Sequence, residues 1–579
     1  MRTPKRHYDN VTGRPNTHPL FEVFTPIDEL LRPCSTLVAD HWHQLLQSYP
    51  DPTLPEIILG ITTHGARLGY EGPLRQVRGR NHPSVLRITQ EISQGIATEI
   101  EAQRIIEVHN LPDFYYISPL GAVEKKSAGI HTGWRRIHDL SFPPGRSVND
   151  GIPEAYGTLS YQTFDDAIRL VAKHGKGVTL RKRDLKDAFR KIPVSPYDYW
   201  LLLFEWSGHT YTDIFLPFGL RTSPFLFNLF SEALHWILEA IFKRELVHYL
   251  DDFLLVNDPD PELFGAVVSH LGFEEKTSKR ADGHVVDFTG IEIDTEKMEA
   301  RLPHDKHNRA LTSVKKLLAR GTVSHRSLER LLGFLNFCAK VIPLGRPFLR
   351  NLFNLLCRLP ARHPYTPYRL GKAAKRDLHW WATLLPNWSG IRLINPRRRI
   401  ITLYTDASGK KGIGGWWDTH IFSSRIPRSR RSKHINWKEA YAILFALAKW
   451  SQEWKGCTLL VMCDNSAIVQ ALNTRTIRGN AITPLQLIFL TAAIDDIEIY
   501  SEWLSTKENW IADALSRFDL KRIANLFPQL QAVQNGTSRR QSGRPISALR
   551  TRLQNCFGSV SLPNLDEDIP PKQPNTNNA

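Results

Sequence analysis

Apolar residues recur at three- and four-residue spacing through "STLVADHWHQLLQSYPD" and "PSVLRITQEISQGIATEIEAQRII", which predicts a mostly helical region over residues 21–112. From 113 to 300 the apolar runs shorten, and short strands mixed with helices are expected. Residues 301–395 return to the helical period. There "SHRSLERLLGFLNFCAKVI" opens on Ser324, a residue type that caps a helix by accepting from its free backbone N–H groups. The basic stretch "NPRRRI" at 395–400 marks a boundary. After it, "ITLYTDASGKKGIGGWW" reads as strand, glycine-rich turn, strand, and opens an α/β segment over 396–520. Residues 1–20 and 521–579 are too polar and basic to build a core, and both are expected to be largely disordered. The pattern predicts an α+β multidomain chain without internal repeats.

One stretch breaks the pattern. In "ELVHYLDDFLLVNDP" two aspartates, Asp251 and Asp252, stand between apolar runs. The string fits a hairpin with the acidic pair at its tip, Tyr249 and Leu250 leading in and Phe253 to Val256 leading out. A buried carboxylate costs several kcal/mol unless it is paired or holds a metal. An exposed turn with two solvated aspartates satisfies the same pattern. Upstream, "GVTLRKRDLKDAFRKIPV" puts Asp184 at the end of a strand-like run, with Asp187 and Phe189 following.

The stretch around Asp184 resembles the first palm motif of reverse transcriptases. "LPFGLRTSP" then resembles the second, a turn feeding a helix, and the YxDD hairpin comes next in order. "LGFEEKTSK" and "VDFTGIEID" follow at that family's spacing, and "ISPLGAVEKKSAGIHTGWRRIHDLS" resembles its fingers motif. The resemblance implies a right-hand polymerase, with fingers and palm over 113–300 and helical thumb and connection segments over 301–395. It also implies two divalent cations about 3.5–4 Å apart, Mg²⁺ with Mn²⁺ as a substitute, held by hard carboxylate oxygens. Asp184 and Asp251 would bridge them, with Asp252 adjacent and the Leu185 carbonyl as a further ligand. Arg135 and Lys125 or Lys126 would grip the dNTP triphosphate. Phe189 would exclude a 2′-hydroxyl, Gly219 would admit the nucleotide, and Lys276 or Lys279 would serve as the acid for pyrophosphate. Phe218 stands where retroviral enzymes usually carry Gln.

A second set of acids lies downstream. Asp406 ends a first strand in "LYTDASG", Glu439 sits in the helix "HINWKEAYAILFALAKW", Asp464 ends a third strand in "LLVMCDNSAIVQAL", and Asp513 starts a helix in "STKENWIADALSR". The order Asp, Glu, Asp, Asp on this β-β-α-β-α pattern resembles the ribonuclease H fold. Its implication is a second Mg²⁺ site that activates water against RNA. Related domains often carry a His near the position of Trp503, and this chain does not.

Charge agrees with these readings. Seventy-five Lys and Arg against fifty-eight Asp and Glu give a net charge of +17, which suits a polyanion partner. The expected partners are an RNA template, a DNA primer, the RNA/DNA hybrid and dNTPs. The six cysteines form no CxxC pair, no apolar run is long enough to cross a membrane, and the N-terminus lacks a secretory signal. An intracellular protein, cytoplasmic or nuclear, is expected. "SLERLLGFLNFCAKVIPLGRPFLRNLFNLL" resembles the connection segment of DIRS-like, tyrosine-recombinase retrotransposons, and "YPDPTLPEIILGITTHGARLGYEGP" resembles their fungal versions. The sequence-level reading is a retrotransposon RNA-directed DNA polymerase with ribonuclease H. The alternative is a decayed or domesticated copy that binds nucleic acid without chemistry. Loss of Asp184, Asp251 or Asp252 would favour that alternative, and all three are present.

Overall fold

The computed structural model describes residues 35–127, 130–387, 390–394, 398–477, 479, 481–527, 544–557 and 562–565. The expectations for residues 1–20 and for most of 521–579 fall outside that set. The chain divides into two units, residues 1–289 with 293–297 and residues 290–292 with 298–579.

Among the described residues the first unit begins with α1 (Ala39–Leu46) and α2 (Thr53–His64). Trp42 and Leu46 lie one turn apart on α1, and Ile57, Ile58 and Ile61 line α2. All five enter the main core of the unit. The region is less helical than its periodicity predicts. β1 (Gln76–Arg78) interrupts it, and the long helix expected from Pro83 onward is only a turn at Pro83–Leu86 followed by α3 (Thr89–Glu101). The helical pattern stops there because Gln103 turns the chain at φ 53°, and Ile105–Glu107 pair as strand β2. β3 (Tyr115–Ile117) follows, and then a hairpin of β4 (Leu120–Ser127) and β5 (Ile130–His138).

Three elements come next: α4 (Phe164–His174), closed at its start by a Thr163–Asp166 capping box, then β6 (Leu180–Asp184) and β7 (Leu203–Trp206). β8 (His209–Asp213) completes a five-stranded sheet of order β1-β3-β7-β8-β2. α5 (Ser223–Trp236) carries Phe227 and Phe230 into the core shared with α1 and α2. β9 (Glu245–Tyr249), β10 (Asp252–Val256), α6 (Leu263–His270) and β11 (Ala281–Gly283) follow. The second sheet runs β11-β6-β10-β9.

In the second unit a short strand at Glu299–Arg301, paired with Ile391–Leu393, precedes α7 (His304–Arg320) and α8 (His325–Cys338), which begins on the Ser324 cap as its sequence predicts; α9 (Lys372–Asn387) follows. Next come β12 (Ile400–Ala407), β13 (Gly412–Trp417), β14 (His420–Arg425), α10 (Ile435–Trp450) and β15 (Thr458–Cys463). α11 (Ser466–Thr474), α12 (Ile482–Ile494), β16 (Glu498–Trp503) and α13 (Trp510–Arg517) complete the fold. The sheet order is β14-β13-β12-β15-β16, antiparallel on the β14 side and parallel among β12, β15 and β16. Asp464 therefore follows the fourth strand of this sheet, not a third. The short, polar "HIFSSR" forms β14 by pairing with β13 along its whole length.

Two features join this unit together. Asp377 on α9 is fully buried and accepts from the Asn351 backbone N–H (3.1 Å), Asn351 Nδ2 (3.0 Å) and Gln486 Nε2 of α12 (3.2 Å). Burial pushes its carboxyl up to about 7. The tail expected to be largely disordered contains a helix, α14 (Arg544–Phe557). Ile546, Leu549 and Leu553 recur on one face, are buried, and pack α14 against α10 and α12. This stripe outweighs the basic composition. Arg552 meets Asp495 at 2.8 Å.

Candidate active sites

β6 reads "LRKRD", a charged strand in mid-sheet. It is tolerated because Arg183, only 1% exposed, pairs with Asp282 of β11 at 2.6 Å and Glu275 at 3.4 Å and donates to the Pro261 carbonyl. Asp184 thereby stands buried at the C-terminal end of β6. Across the sheet, Asp252 pairs with Tyr249, so Leu250 and Asp251 form a two-residue turn. Leu250 holds φ at 53°, where glycine is at ease and a side chain costs about 1 kcal/mol or more. Antiparallel pairing of β10 with β6 sets Asp252 opposite Asp184, and the Leu185 N–H donates to the Asp251 carbonyl at 3.1 Å. The acids of the hairpin tip and the strand end are thus brought together.

Their electrostatics are those of crowded acids. Burial pushes Asp252 up to about 6; Lys182, 3.7 Å away, opposes this, while a hydrogen bond to Asp184 and the charges of Asp251 and Asp184 add to it. Asp251 is raised by burial and by Asp184. Asp252 Oδ1 is buried without a hydrogen-bond partner. Lys279 forms an ion pair with Asp184, and the Lys276 N–H donates to the Asp184 carbonyl at 2.7 Å. Of the two lysines, Lys279 is the one whose ammonium reaches the acids. An orphaned oxygen among three carboxyls fits a hard divalent cation.

Around this cluster, Phe189 is held edge-to-face by Phe218 and Phe227, each 5.2 Å away between ring centroids. Gly219 sits at φ 101°, and a Cβ there would fall 2.8 Å from the His138 carbonyl oxygen. A nearby backbone already requires glycine at this position. Arg135 is exposed on β5, opposite Val123 of β4. Lys125 and Lys126 lie on the paired strand β4, and their side chains fall outside the described residues.

The second cluster gathers at the ends of β12, β15, α10 and α13. Gly414 makes this possible: a Cβ there would lie 2.4 Å from the Ser516 backbone nitrogen, so only glycine lets α13 settle on β13. Asp406 is pushed up to about 6 by burial, against a Ser516 hydrogen bond and with Asp464 and Asp513 adding repulsion. Glu439 is raised well above the usual carboxylate range by burial and by the charges of Asp406 and Asp464. Asp406 Oδ2 and Glu439 Oε2 are buried without hydrogen-bond partners. Asp513 pairs with Arg517 at 2.6 Å, and Asp464 accepts from Thr506 Oγ1 at 2.8 Å. All four predicted acids thus share one electrostatic site, and its orphaned oxygens again suit a divalent cation. Trp503, exposed, donates through Nε1 to the Asp464 carbonyl at 2.9 Å.

Residues 138–317 match the family described as reverse transcriptase (RNA-dependent DNA polymerase). The segment is a reverse transcriptase domain. Its relatives are of the retroviral and retroelement kind. The chain is 25% identical over 227 residues to the Pro-Pol polyprotein of feline foamy virus, covering 38% of this chain and 18% of the relative. It is 28% identical over 163 residues to Protein P of duck hepatitis B virus (isolate white Shanghai duck S31), covering 27% and 20%. It is 38% identical over 154 residues to the Gag-Pol polyprotein of walleye dermal sarcoma virus, covering 25% and 8%. The chain spans about a fifth or less of the length of these relatives. Among solved structures, the foamy viral protease-reverse transcriptase dRH in complex with ds DNA aligns at TM-score 0.43 and 16% identity, over 83% of each chain. The foamy viral protease-reverse transcriptase in complex with RNA/DNA hybrid aligns at 0.41 and 15%, over 80% of this chain and 62% of that one.

The first unit also contains a network that the sequence did not announce. Asp213, 1% exposed, meets Arg190 at 2.7 Å and His138 Nδ1 at 2.9 Å, and Arg190 meets Glu99 at 2.7 Å. Arg190, His138 and Arg136, the last 3.9 Å away, hold the Asp213 carboxyl well below the usual range against burial. Its members come from α3, β5, the turn after β6 and β8, and no local string connects them. A second unpredicted pair joins α5 to β9: His235 and His248 have their Nδ1 atoms 3.0 Å apart. Burial pushes His248 down to about 3.

Proposed function

We propose that the chain copies RNA into DNA and degrades the RNA strand of the resulting hybrid. The observation that carries the polymerase reading is the register of Asp252 against Asp184 beside the Asp251 turn. Asp184, Asp251 and Asp252 would hold two Mg²⁺ ions, with Mn²⁺ as a substitute and the Leu185 carbonyl as a further ligand. When bound, these ions lower the pKa of a primer hydroxyl and neutralise charge on departing pyrophosphate. The chain's own residues do the rest. Arg135 with Lys125 or Lys126 grips the triphosphate of the dNTP, Phe189 bars a 2′-hydroxyl, and Lys279, or Lys276, gives a proton to pyrophosphate. Gly219 keeps the backbone beside the nucleotide free of a side chain.

Asp406, Glu439, Asp464 and Asp513 would hold the Mg²⁺ of a ribonuclease H site, where the water that attacks an RNA phosphodiester is activated. The nucleic-acid partners are an RNA template, a DNA primer and the hybrid between them. A groove of about 770 Å³ between α7 and α8, lined by Arg309, Lys316, Arg320, Arg330 and Phe334, supports this reading. The connection-segment phrase supports a DIRS-like lineage, and a tyrosine-recombinase reading frame beside the gene would test it. Among the described residues no helix is long and apolar enough to cross a membrane. The deciding experiment is primer extension on an RNA template with Mg²⁺ and dNTPs, with Asp251→Asn as control. Extension by the parent chain alone is expected. No extension in Mg²⁺ or Mn²⁺ overturns the reading in favour of a non-catalytic nucleic-acid-binding protein.

A further inference from the structure

We propose that the second carboxylate cluster takes a thiophilic divalent cation, Zn²⁺ or Cd²⁺, on the Cys463 sulfur together with Glu439 and Asp464. The inference rests on reading that cluster as a metal site. Cys463 is the last residue of β15, fully buried, and no resemblance assigned it a role. One ligand atom from each of Glu439, Cys463 and Asp464 lies within 4.8 Å of the other two. Glu439 is 3% exposed, and its Oε2 has no hydrogen-bond partner, so the same buried carboxyl carries an unsatisfied acceptor.

Three further features bear on these ligands. The Asn465 backbone N–H donates to Cys463 Sγ at 3.4 Å and orients it, while burial and the charges of Glu439, Asp464 and Asp406 raise the metal-free thiol well above its usual range, so the cation itself must displace the proton. Asn465 also caps α11 through its side chain and donates to Asn436 Oδ1, so the loop carrying the sulfur is fixed. The Thr506 hydroxyl and the Trp503 indole hold Asp464 and its backbone carbonyl from outside.

The chemistry then discriminates between ions. Carboxylates alone suit Mg²⁺, whereas one sulfur among them favours Zn²⁺ and Cd²⁺, which accept mixed sulfur and oxygen ligands in tetrahedral sites. Binding breaks the S–H bond, forms a sulfur–metal bond and passes the proton to solvent. Two carboxylates and one thiolate leave a fourth position for water. An ion held there shares Glu439 and Asp464 with the Mg²⁺ site, so it would displace Mg²⁺ and restrain RNA cleavage.

The test is Cd²⁺ titration of the full chain, read by the sulfur-to-cadmium charge-transfer band in the near ultraviolet. Cys357→Ser is used as background because Cys357 is the exposed thiol among the described cysteines. Expected is a saturating band that disappears in Cys463→Ala. Glu439→Gln should weaken Cd²⁺ binding by at least about tenfold, as loss of a metal-orienting group does. Cys463→Ser serves if the alanine variant does not fold, and the ¹¹³Cd resonance of the unaltered chain reports a sulfur ligand independently. A band that survives loss of Cys463, or an affinity indifferent to Glu439, overturns the proposal. RNA-strand cleavage in Mg²⁺ separates the two readings. A band without cleavage leaves the thiophilic site standing and removes the ribonuclease; cleavage without a band does the reverse.

Discussion

Lys279 closes an ion pair on Asp184, the buried acid at the end of β6. Its ammonium therefore competes for the carboxylate that a metal would use. Lys279→Met should bind Mg²⁺ about three- to tenfold more tightly, since an opposite charge at this range near a surface is worth about 1 kcal/mol or more. The same variant should lose synthesis if the lysine also supplies the proton to pyrophosphate. Calorimetric titration of metal into the two chains checks the first expectation, and unchanged affinity would show that the lysine does not compete.

Asp252 gives a pH dependence whose sign is fixed. Its folded value of about 6 lies above the ordinary aspartate value, so the folded, metal-free chain holds this proton more tightly than the unfolded chain. The stabilising contribution is present at acid pH and disappears as pH rises through about 6. Asp252→Asn should therefore stabilise the metal-free protein at pH 8 by about 1–3 kcal/mol and flatten its pH profile. Denaturant unfolding in chelator from pH 5 to 8 measures this; a variant less stable than its parent at pH 8 would contradict it. Asp406 shifts in the same direction for the same reason.

The two carboxylate clusters draw on different acids and predict separable losses. Asp251→Asn should reduce DNA synthesis by at least about 10³-fold and leave RNA cleavage intact, and Asp464→Asn should do the opposite, the scale being that of a lost transition-state interaction. Paired primer-extension and hybrid-cleavage gels read both. Loss of both activities in either variant would mean a single shared site.

Phe189 does not stand alone, because Phe218 and Phe227 brace its ring. Phe189→Val should admit ribonucleotides. Phe218→Ala should relax the same discrimination to a lesser degree by letting the ring move, with edge-to-face support worth about 0.5–1.5 kcal/mol. Competition between a dNTP and its rNTP in primer extension distinguishes the two. Equal discrimination in all three chains would remove Phe189 from the sugar contact.

The Asp213 network is structural. Removing its central carboxylate leaves Arg190 and His138 in a dry site with one partner fewer. Asp213→Ala should lower stability by about 3–5 kcal/mol, the cost of breaking a buried ion pair. Thermal unfolding measures it, and a shift within error of the parent would show that the network is not needed.

What could be read from the sequence follows from how local each signal is. Asp251 and Asp252 stood out because charge was placed between apolar runs and Asp184 because its phrase resembles a palm motif, and the structure sets Asp184 opposite Asp252. Ser324 announced its helix because capping acts over three residues. Strand β14 was missed because "HIFSSR" is short and polar and is made a strand only by its partner β13. Asp213, Arg190 and Glu99 were invisible because each has an ordinary neighbourhood and they meet only in the fold. Helix α14 was missed because charge obscured an apolar stripe of three residues, Ile546, Leu549 and Leu553.

That last helix bears on how the protein can be shortened. A chain cut after Phe527 would lose the three side chains that cover α10 and α12 and would leave Asp495, 3% exposed, without the arginine it meets. Such a truncation would bare an oily patch beside an acid left with only the Gln452 amide, and poor solubility would follow even though every residue of the two acidic clusters remained in place.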